Sequence, residues 1–480
     1  MSDPEIHTEI APWFEAIEIG KRSSATSKAI FVLLCATLMM TTLLFGAVDH
    51  ATWVILSFTG LAIAAFWLYD AWRARAFLLD ANILLVPLGA LIGIGIIQLL
   101  PLFSPILSSD LVPNAPRSAI SLDPYSTRLF IVRLVIYLVF FAAALTFVNS
   151  KPRLKKAVIG IICFGSLMAI FAILQRLAHV ESIYGMRDTP QAIPFGPFVN
   201  QHHFAAFMEM TGGVTLAFLF AAGARREVRI VLGLAAVVMG IAVVMTSSRG
   251  GLISFVGVML FTIAASNFVG RRSRSAASGV GGQQKLALAA AAIALIVLIV
   301  GSVLFLGADS SLVRGIGLAS SGDITNGRTH FWAIALRIFA DHPLFGAGLD
   351  AFGSAFTKYD SWPGTFRVEQ AHNDYLQTLA DAGIAGFACI AAFIYFLFKK
   401  GLTVITSTGD EFRRCSAIGA LAGCFGIVIH SFFDFPLRTP SNAFFFLMLA
   451  AIAVVGVKSQ HRQRTVTGSS LRPHGSVKVT

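Results

Sequence analysis

Long apolar runs separated by short polar segments dominate this chain from residue 29 onward. A helix that crosses a membrane needs about 20 consecutive, mostly apolar residues. The pattern therefore predicts an all-α polytopic membrane protein with about 12 transmembrane helices. The predicted spans are residues 29–48, 51–69, 82–103, 128–148, 157–178, 203–223, 228–246, 250–269, 286–306, 376–398, 416–436 and 441–457.

The segments between these spans alternate in charge. If residues 1–28 lie inside the cell, every short inner connection is basic. An excess of Lys and Arg on the cytoplasmic side is typical of membrane topology. We therefore predict an inner-membrane protein with both termini cytoplasmic. Its tails would be residues 1–28 and the basic residues 458–480, on either side of a transmembrane domain at 29–457.

One outer connection, residues 307–372, is much longer than the others. We expect it to be a folded periplasmic loop with short amphipathic helices. Helical periodicity predicts one helix over Thr329–Asp341 and a second over Asp350–Tyr359. The apolar face predicted for the first helix consists of Trp332, Ala335, Leu336 and Phe339.

Composition agrees with a chain that faces lipid. Hydrophobic residues make up 56% of the sequence and charged residues only 13%, with a mean hydropathy of +0.75. Soluble domains are about a quarter charged. The net charge of +12 follows from the Lys and Arg residues that set the topology, so it does not indicate nucleic acid. We expect membrane lipid as a partner and no nucleic acid.

Four polar motifs are predicted to lie on the outer face. Three of them enter the spans 203–223, 250–269 and 376–398, which all run from outside to inside in this topology. The N-terminal ends of these helices would therefore meet at the outer surface. The motifs are GPFVNQHH at 196–203, TSSRGG at 246–251, NGR at 326–328 and AHNDYLQ at 371–377.

These motifs favour an anion site. A helix N-terminus offers unpaired N–H groups and a positive dipole end. Ser247 and Ser248 are suited to capping one such helix, and Arg249 adds a fixed charge beside them. Arg328 precedes the first predicted loop helix, and a guanidinium matches phosphate oxygens well. The sequence thus predicts a phosphate or diphosphate site at the outer membrane surface.

Each of these residues also has a purely structural interpretation. Arg249 is equally consistent with a side chain that extends to the membrane interface, and Arg328 with an ion pair to Asp323 or Asp341. Adjacent helical residues point about 100° apart, so the two histidines of the first motif do not suggest a metal site. His372 is also suited to a hydrogen bond at the interface.

Several polar residues lie within the apolar runs. Glu209 is a functional candidate because a carboxylate inside a membrane is costly. His430 and Asp434 are four residues apart, so we expect them to share a helix face and to form a structural interaction with Arg438. Two further arginines near the outer ends of spans are candidates either for the anion site or for the interface: Arg133 and Arg176.

In combination, four segments resemble the O-antigen ligase and polymerase superfamily. The resemblance covers about residues 194–387 and implies a GT-C-like fold. It also implies a metal-independent, cofactor-free glycosyltransferase that moves a glycan from an undecaprenyl-diphosphate carrier to an acceptor hydroxyl at the periplasmic face of the bacterial inner membrane. The segments are GPFVNQHHFAAFMEM, SSRGG, NGRTHFWAIALRIFADHPLFGAGLDAF and AHNDYLQTLADAGIAGF.

The resemblance also implies roles for single residues. Arg249 and Arg328 match the arginines that contact the diphosphate, and His372 matches the catalytic base. Direct attack by the acceptor hydroxyl would invert the anomeric configuration. Asp374 is a candidate to orient His372 or the acceptor. The remaining candidates for substrate binding are Asn200, His202, His203, Ser248, Asn373, Tyr375 and Glu209.

The acceptor stays open at this stage. A ligase would use lipid A core and a polymerase another glycan repeat, while a protein hydroxyl would define a third kind of transferase. Two other classes of function compete with these. One is a transporter or flippase of an anionic solute or lipid-linked sugar, which would need binding sites near the middle of the membrane. The other is a structural factor for polysaccharide assembly.

The proposed topology is testable with reporter fusions. A reporter active only in the periplasm should be active when fused near Gly322 and inactive when fused near Ser273. Reporter activity on cell colonies measures this directly. The reverse pattern would show that the orientation is inverted.

Overall fold

The computed structural model describes residues 24–102, 119–180, 182–190, 192–221, 225–274, 293, 327–361 and 368–456. Within these ranges the secondary structure is helical, and the β-structure consists of isolated bridges. The predicted all-α class is confirmed for this part of the chain. Its helices are α1 (Ala25–Leu43), α2 (His50–Ala74), α3 (Leu85–Gln98), α4 (Pro124–Phe147), α5 (Lys151–Leu177), α6 (Gln201–Leu219), α7 (Arg226–Met245), α8 (Arg249–Arg274), α9 (Arg328–Asp341), α10 (Phe352–Tyr359), α11 (Asp374–Ser407), α12 (Glu411–His430) and α13 (Pro440–Val454).

Among the described residues, eight helices are long and apolar enough to cross a membrane. They are α1, α2, α4, α5, α7, α8, α11 and α12, and α3 and α13 are shorter apolar helices. The chain is thus a multi-pass membrane protein, while the count of about 12 spans stays a prediction. The predicted span 286–306 lies outside the described residues except for Ile293, as do most of the two predicted tails.

Some boundaries differ from the predicted ones. Helix α1 begins at Ala25, four residues before the predicted start, because the Ser24 side chain accepts a hydrogen bond from the Ser27 N–H group. Helix α12 ends at His430, although its apolar run continues to residue 436. Short turns and a 3₁₀ helix at Pro436–Arg438 carry the chain onward into α13. This early end determines the geometry of the candidate site.

Helix α6 is the central helix of the bundle. Every residue from His203 to Ala217 is buried, and the helix packs most extensively against α12. The two backbones approach closely at glycines: a Cβ atom added at Gly213 would lie 2.7 Å from the Gly423 nitrogen. Small residues at such crossings are typical of membrane helix pairs.

Helix α11 is interrupted at Gly383, whose φ of 63° is left-handed. The backbone groups freed by this break are paired by the segment between α9 and α10. Ile384 N–H donates to the Pro343 carbonyl at 2.9 Å, and Ala385 N–H donates to Leu344 at 3.2 Å. Backbone groups at membrane depth need such internal partners. The predicted outer loop is therefore attached to α11 by its main chain.

The Gln98 side chain joins the same segment to α3. Its amide nitrogen donates to the carbonyls of Phe345 and Asp381, at 2.5 and 2.8 Å, and its oxygen accepts from Leu349 N–H at 2.8 Å. Gln98 is fully buried. One side chain thus holds α3, α11 and the inter-helix segment together.

Both predicted loop helices are present, as α9 and α10, but the predicted apolar face of α9 is only partly confirmed: Ala335 is buried, whereas Leu336 is not. Its buried residues are Ile334, Ala335 and Ile338, whereas Leu336 is 49% exposed. These positions follow i, i+1 and i+4 spacing and, with the partly buried Phe331, form one continuous stripe. The stripe packs against α10 and α11. These tertiary contacts bury a face that is rotated by about one residue from the predicted face.

The close approach of α6 and α12 predicts a selective effect of side-chain volume. Gly423→Val should strongly reduce the yield of folded protein, because the new Cβ would meet the Met210 backbone at 2.9 Å. Gly160→Val is the matched control, because no atom lies within 4 Å of a Cβ added there. Size-exclusion chromatography and thermal unfolding in detergent would measure both. Equal yields would show that the contact is not critical.

Candidate functional site

Capping side chains begin three helices at one end of the bundle. The Asn200 side chain accepts from His202 N–H at 2.8 Å at the start of α6. Ser248 accepts from Gly251 N–H at 3.1 Å at the start of α8. Asn373 accepts from two N–H groups of α11, both at 3.0 Å. Each cap is one or two residues from a His or Arg of the predicted motifs. The start of each helix therefore fixes the position of that His or Arg.

Asp434 is the centre of this end of the bundle. It lies just beyond the end of α12, and its side chain is only 2% exposed. Its Oδ1 atom lies 3.0 Å from His372 Nδ1, and its Oδ2 atom lies 3.7 Å from Arg328 Nη2. Arg328 also donates from Nη1 to the Phe433 carbonyl at 2.6 Å. One carboxylate therefore contacts both the predicted base and one of the predicted diphosphate ligands.

The electrostatic environment keeps Asp434 ionised. Burial alone would raise the pKa of this carboxyl, but the hydrogen bond from His372 and the nearby imidazoles of His202 and His203 hold its pKa well below the usual range. The charge persists at neutral pH. Asp434 is thus a stable anionic acceptor for the Nδ1–H group of His372.

His372 is held in a fixed orientation. Its backbone φ of 51° is left-handed, and Asn373 begins α11 directly after it. The edge of the Phe435 ring contacts the imidazole at a centroid distance of 4.8 Å. From α9, the Phe331 ring lies roughly parallel to it at 6.1 Å. Two aromatic rings and a carboxylate therefore restrict its movement.

Arg249 is the first residue of α8, and both of its neighbours contact this cluster. The Ser248 hydroxyl lies 2.8 Å from His202 Nδ1, and that nitrogen is 4.0 Å from Asp434 Oδ2. On the other side, a Cβ atom added at Gly250 would lie 2.8 Å from Phe433 Cβ. The backbone of Arg249 is thus fixed beside the segment that carries Asp434.

Four other predicted site residues make different contacts. His203 is buried and lies 2.6 Å from the Thr439 hydroxyl. Glu209 is fully buried in α6, and its carboxylate is 2.7 Å from His430 Nδ1. Asp374 accepts from the Ser431 hydroxyl at 2.9 Å, and the Tyr375 hydroxyl donates to the Val428 carbonyl at 2.6 Å. These four side chains join helices to each other. Their predicted roles in substrate binding stay predictions.

The expected interaction among His430, Asp434 and Arg438 is wrong. Because α12 ends at His430, the spacing of four residues no longer places Asp434 on the same helix face. The three side chains have separate partners. His430 contacts Glu209 and Asp434 contacts His372, whereas Arg438 binds two carboxylates. The partners of Arg438 are Asp350 at 3.0 Å and Asp381 at 2.6 Å.

Two other expectations are also revised. His372 is oriented by Asp434, whereas Asp374 bonds to Ser431. Arg133 forms an ion pair with Asp350 at 3.2 Å, which places it in the Arg438 network instead of at Asp434. Arg328 contacts Asp434, and the loop carboxylate of Asp341 bonds to Tyr359 instead. The other loop carboxylate considered, Asp323, lies outside the described residues.

Sequence reasoning did not select Asp434 as a site residue. A signal was present, because Asp434 interrupts the aromatic stretch Phe432–Phe435 and lies two residues before Pro436. Proline ends a helix in its neighbourhood, and an acid at such an end lies near the membrane surface. The partner at position 372 was not identifiable from spacing, because 62 residues separate the two.

The cluster combines two chemical capacities. A buried carboxylate bound to an imidazole gives a proton acceptor of fixed orientation. A neighbouring guanidinium at a helix N-terminus gives an anion site. No group of three His, Cys, Asp or Glu side chains in the described part of the chain is arranged to hold a metal ion.

Comparison with known proteins adds one match. Residues 234–391 match the family model described as O-antigen ligase. The matched stretch includes Arg249, Arg328 and His372, and ends before Asp434. A search of the curated proteins finds no match.

The caps give a stability prediction. Asn373→Ala should destabilise the protein by about 1–2 kcal/mol, because the α11 N-terminus loses its acceptor. Asn373→Asp should lose less, since it keeps the acceptor and lacks only the donor to the Phe432 carbonyl. Thermal unfolding midpoints in detergent would compare the two. Equal losses of stability would mean that the Asn373 amide nitrogen, and not its capping oxygen, accounts for the stabilisation.

Proposed function

Because this chain belongs to the O-antigen ligase and polymerase superfamily, we propose that it transfers a glycan from an undecaprenyl-diphosphate carrier to an acceptor hydroxyl at the periplasmic face of the inner membrane. The observation that carries this proposal is the contact of Asp434 with both His372 and Arg328. This contact supports the proposal, because such a transfer needs a proton acceptor for the hydroxyl beside a ligand for the departing anion.

His372 is the proposed base. With its Nδ1–H group donated to Asp434, the lone pair of the imidazole is on Nε2. This nitrogen accepts the proton of the acceptor hydroxyl as its oxygen attacks the anomeric carbon. The ionised Asp434 stabilises the imidazolium that forms. Asp434 acts through His372 and is therefore a positioning residue.

Arg328 and Arg249 are the proposed ligands of the diphosphate. They are the first residues of α9 and α8, so each lies at the positive end of a helix. A guanidinium carries five N–H donors, so the contacts of Arg328 with Phe433 and Asp434 leave donors for a phosphate. Charge that develops on the departing diphosphate would be stabilised at both helix ends.

The bond changes fit this set of residues. The acceptor oxygen forms a bond to the anomeric carbon, and the bond from that carbon to the diphosphate breaks. The diphosphate leaves as an anion, so no general acid is needed, unlike in glycosidases with their two carboxyl groups. A single displacement inverts the anomeric configuration. We propose that the chain catalyses it without a metal ion.

An apolar cleft offers a place for the carrier chain. It has a volume of about 200 Å³ and lies among α3, α4, α11, α12 and α13. Its polar end is formed by Asp374, Ser431 and Arg438, and it continues along α11 to Phe393 and Ile394. An isoprenoid chain is apolar throughout and would suit these walls. The acceptor is either lipid A core or another glycan repeat.

Two substitutions separate catalysis from donor binding. In nanodiscs, with lipid-linked oligosaccharide extracted from producing cells as donor, His372→Gln should lower the transfer rate by about 10²–10⁴-fold and leave donor binding intact. Arg328→Ala should weaken donor binding by about 10- to 100-fold, because a charged hydrogen-bond partner is lost. Rapid-quench transfer assays and equilibrium binding measure the two effects.

His50→Gln is the control, because His50 is an exposed histidine at the start of α2. It should behave like the unmodified protein in both assays. Full transfer activity in His372→Gln would remove the base from the proposal. Unchanged donor binding in both Arg328→Ala and Arg249→Ala would remove the diphosphate site.

A further inference from the structure

A second, polar cleft lies at the same end of the bundle as Asp434. It has a volume of about 680 Å³, within the usual range for small-ligand pockets of roughly 300–1,000 Å³. Its walls are the C-terminal turn of α5 and the connection that leads into α6. The polar side chains in these walls are Gln175, Arg176, His179, Asp188 and Thr189.

Two polar atoms in these walls lack a partner. The side-chain oxygens of Gln175 and Thr189 are buried and have no hydrogen bond to any described residue. The Gln175 amide nitrogen makes only a long contact of 3.4 Å to the Ser182 carbonyl. Buried polar atoms are almost always paired, so unpaired ones in a cleft indicate a ligand with hydroxyl or amide groups.

The connection that forms the cleft is anchored to the rest of the protein. Arg187 forms an ion pair with Asp49 at the start of α2 through both of its terminal nitrogens. The guanidinium of Arg187 also lies 4.9 Å from the centre of the Phe45 ring. The Tyr184 hydroxyl donates to the Leu43 carbonyl at 3.1 Å. The cleft is therefore preformed, which lowers the entropic cost of binding.

The cleft is connected to the candidate site by short contacts. Its wall residue Phe195 contacts Phe204 of α6, with ring centroids 5.1 Å apart. His203, the residue before Phe204 in α6, contacts the Phe435 ring at 4.9 Å, and Phe435 contacts His372 at 4.8 Å. Ring contacts at both ends and the α6 backbone between them thus link this wall to the proposed base.

The chemistry of the walls favours a saccharide. Arg176 and Asp188 have opposite charges, so the cleft does not select strongly for either sign. An amide, a hydroxyl and an imidazole supply both donors and acceptors. Two proline rings add apolar surfaces suited to the C–H faces of a sugar ring: Pro190 and Pro194.

We propose that this cleft is a saccharide subsite, which holds a sugar of the donor or acceptor glycan while the linkage forms at His372. The role of the subsite in glycan transfer rests on the proposed transferase function. Its preference for a hydroxyl-rich ligand rests on the unpaired Gln175 and Thr189 oxygens.

Binding of free oligosaccharides tests the subsite without requiring turnover. Two probes distinguish a donor sugar from an acceptor sugar in the cleft. The first is repeat-unit oligosaccharide cleaved from the lipid-linked donor, and the second is core oligosaccharide released by mild acid from the host's lipopolysaccharide. Saturation-transfer NMR with the full chain in nanodiscs would measure each. Thr189→Val and Gln175→Met should each weaken binding of one probe by about five- to tenfold, because each removes one hydrogen-bonding oxygen.

Folding should be unaffected in Thr189→Val, because that hydroxyl has no partner among the described residues. Gln175→Met should fold almost as well, because it loses only the long 3.4 Å contact of the amide nitrogen to the Ser182 carbonyl. Thr59→Val is the matched control, because that hydroxyl bonds only within α2, to the Ile55 carbonyl. His372→Gln should bind the probe as tightly as the unmodified protein. If the oligosaccharide binds but the unmodified protein transfers no glycan, the subsite is supported and the proposed function is not.

Two outcomes would overturn the subsite. In the first, neither oligosaccharide binds to the unmodified protein. In the second, transfer depends on His372, but both cleft variants keep unchanged probe binding and unchanged KM for donor and acceptor. In that case the transferase proposal stands and the cleft has no part in it.

Discussion

Backbone N–H groups at the start of a buried helix need hydrogen-bond partners, and this requirement organises the functional end of the bundle. Three helices meet it with a side chain from the residue just before them: Asn200, Ser248 and Asn373. Each cap has a fixed geometry relative to its helix axis. The residues His202, Arg249 and His372, each one or two positions from a cap, therefore occupy fixed positions as well. Capping and chemistry are properties of the same short motifs.

The same requirement explains why the segment between α9 and α10 is rigid. The break of α11 at Gly383 frees backbone groups, and the Pro343 and Leu344 carbonyls and the Ala347 and Gly348 N–H groups pair with them. Gln98 adds three hydrogen bonds from α3. Helix α9, which carries Arg328, is thereby held against α11, which His372 precedes. A guanidinium and an imidazole from two elements far apart in sequence thus reach one carboxylate, that of Asp434.

Different parts of this arrangement were accessible from sequence to different degrees. Apolar runs predicted eleven of the described helices, because their length and composition are local properties. The motifs around Arg249, Arg328 and His372 were also local signals. The end of α12 was not, since the apolar run continues past His430 and only the cluster of turns before Pro436 stops it. Because the helix end was predicted too late, Asp434 was not recognised as a site residue. Its partner His372 lies 62 residues away and is brought to it by tertiary packing.

The position of Asp434 beside a proposed diphosphate site needs a physical reason, because like charges repel. Here its charge is shared between His372 and Arg328. A bound diphosphate would compete with Asp434 for the Arg328 guanidinium. The carboxylate would then be less neutralised from that side, and its interaction with a protonated His372 would strengthen. Under the proposed function, Asp434 couples the two halves of the reaction through one buried charge.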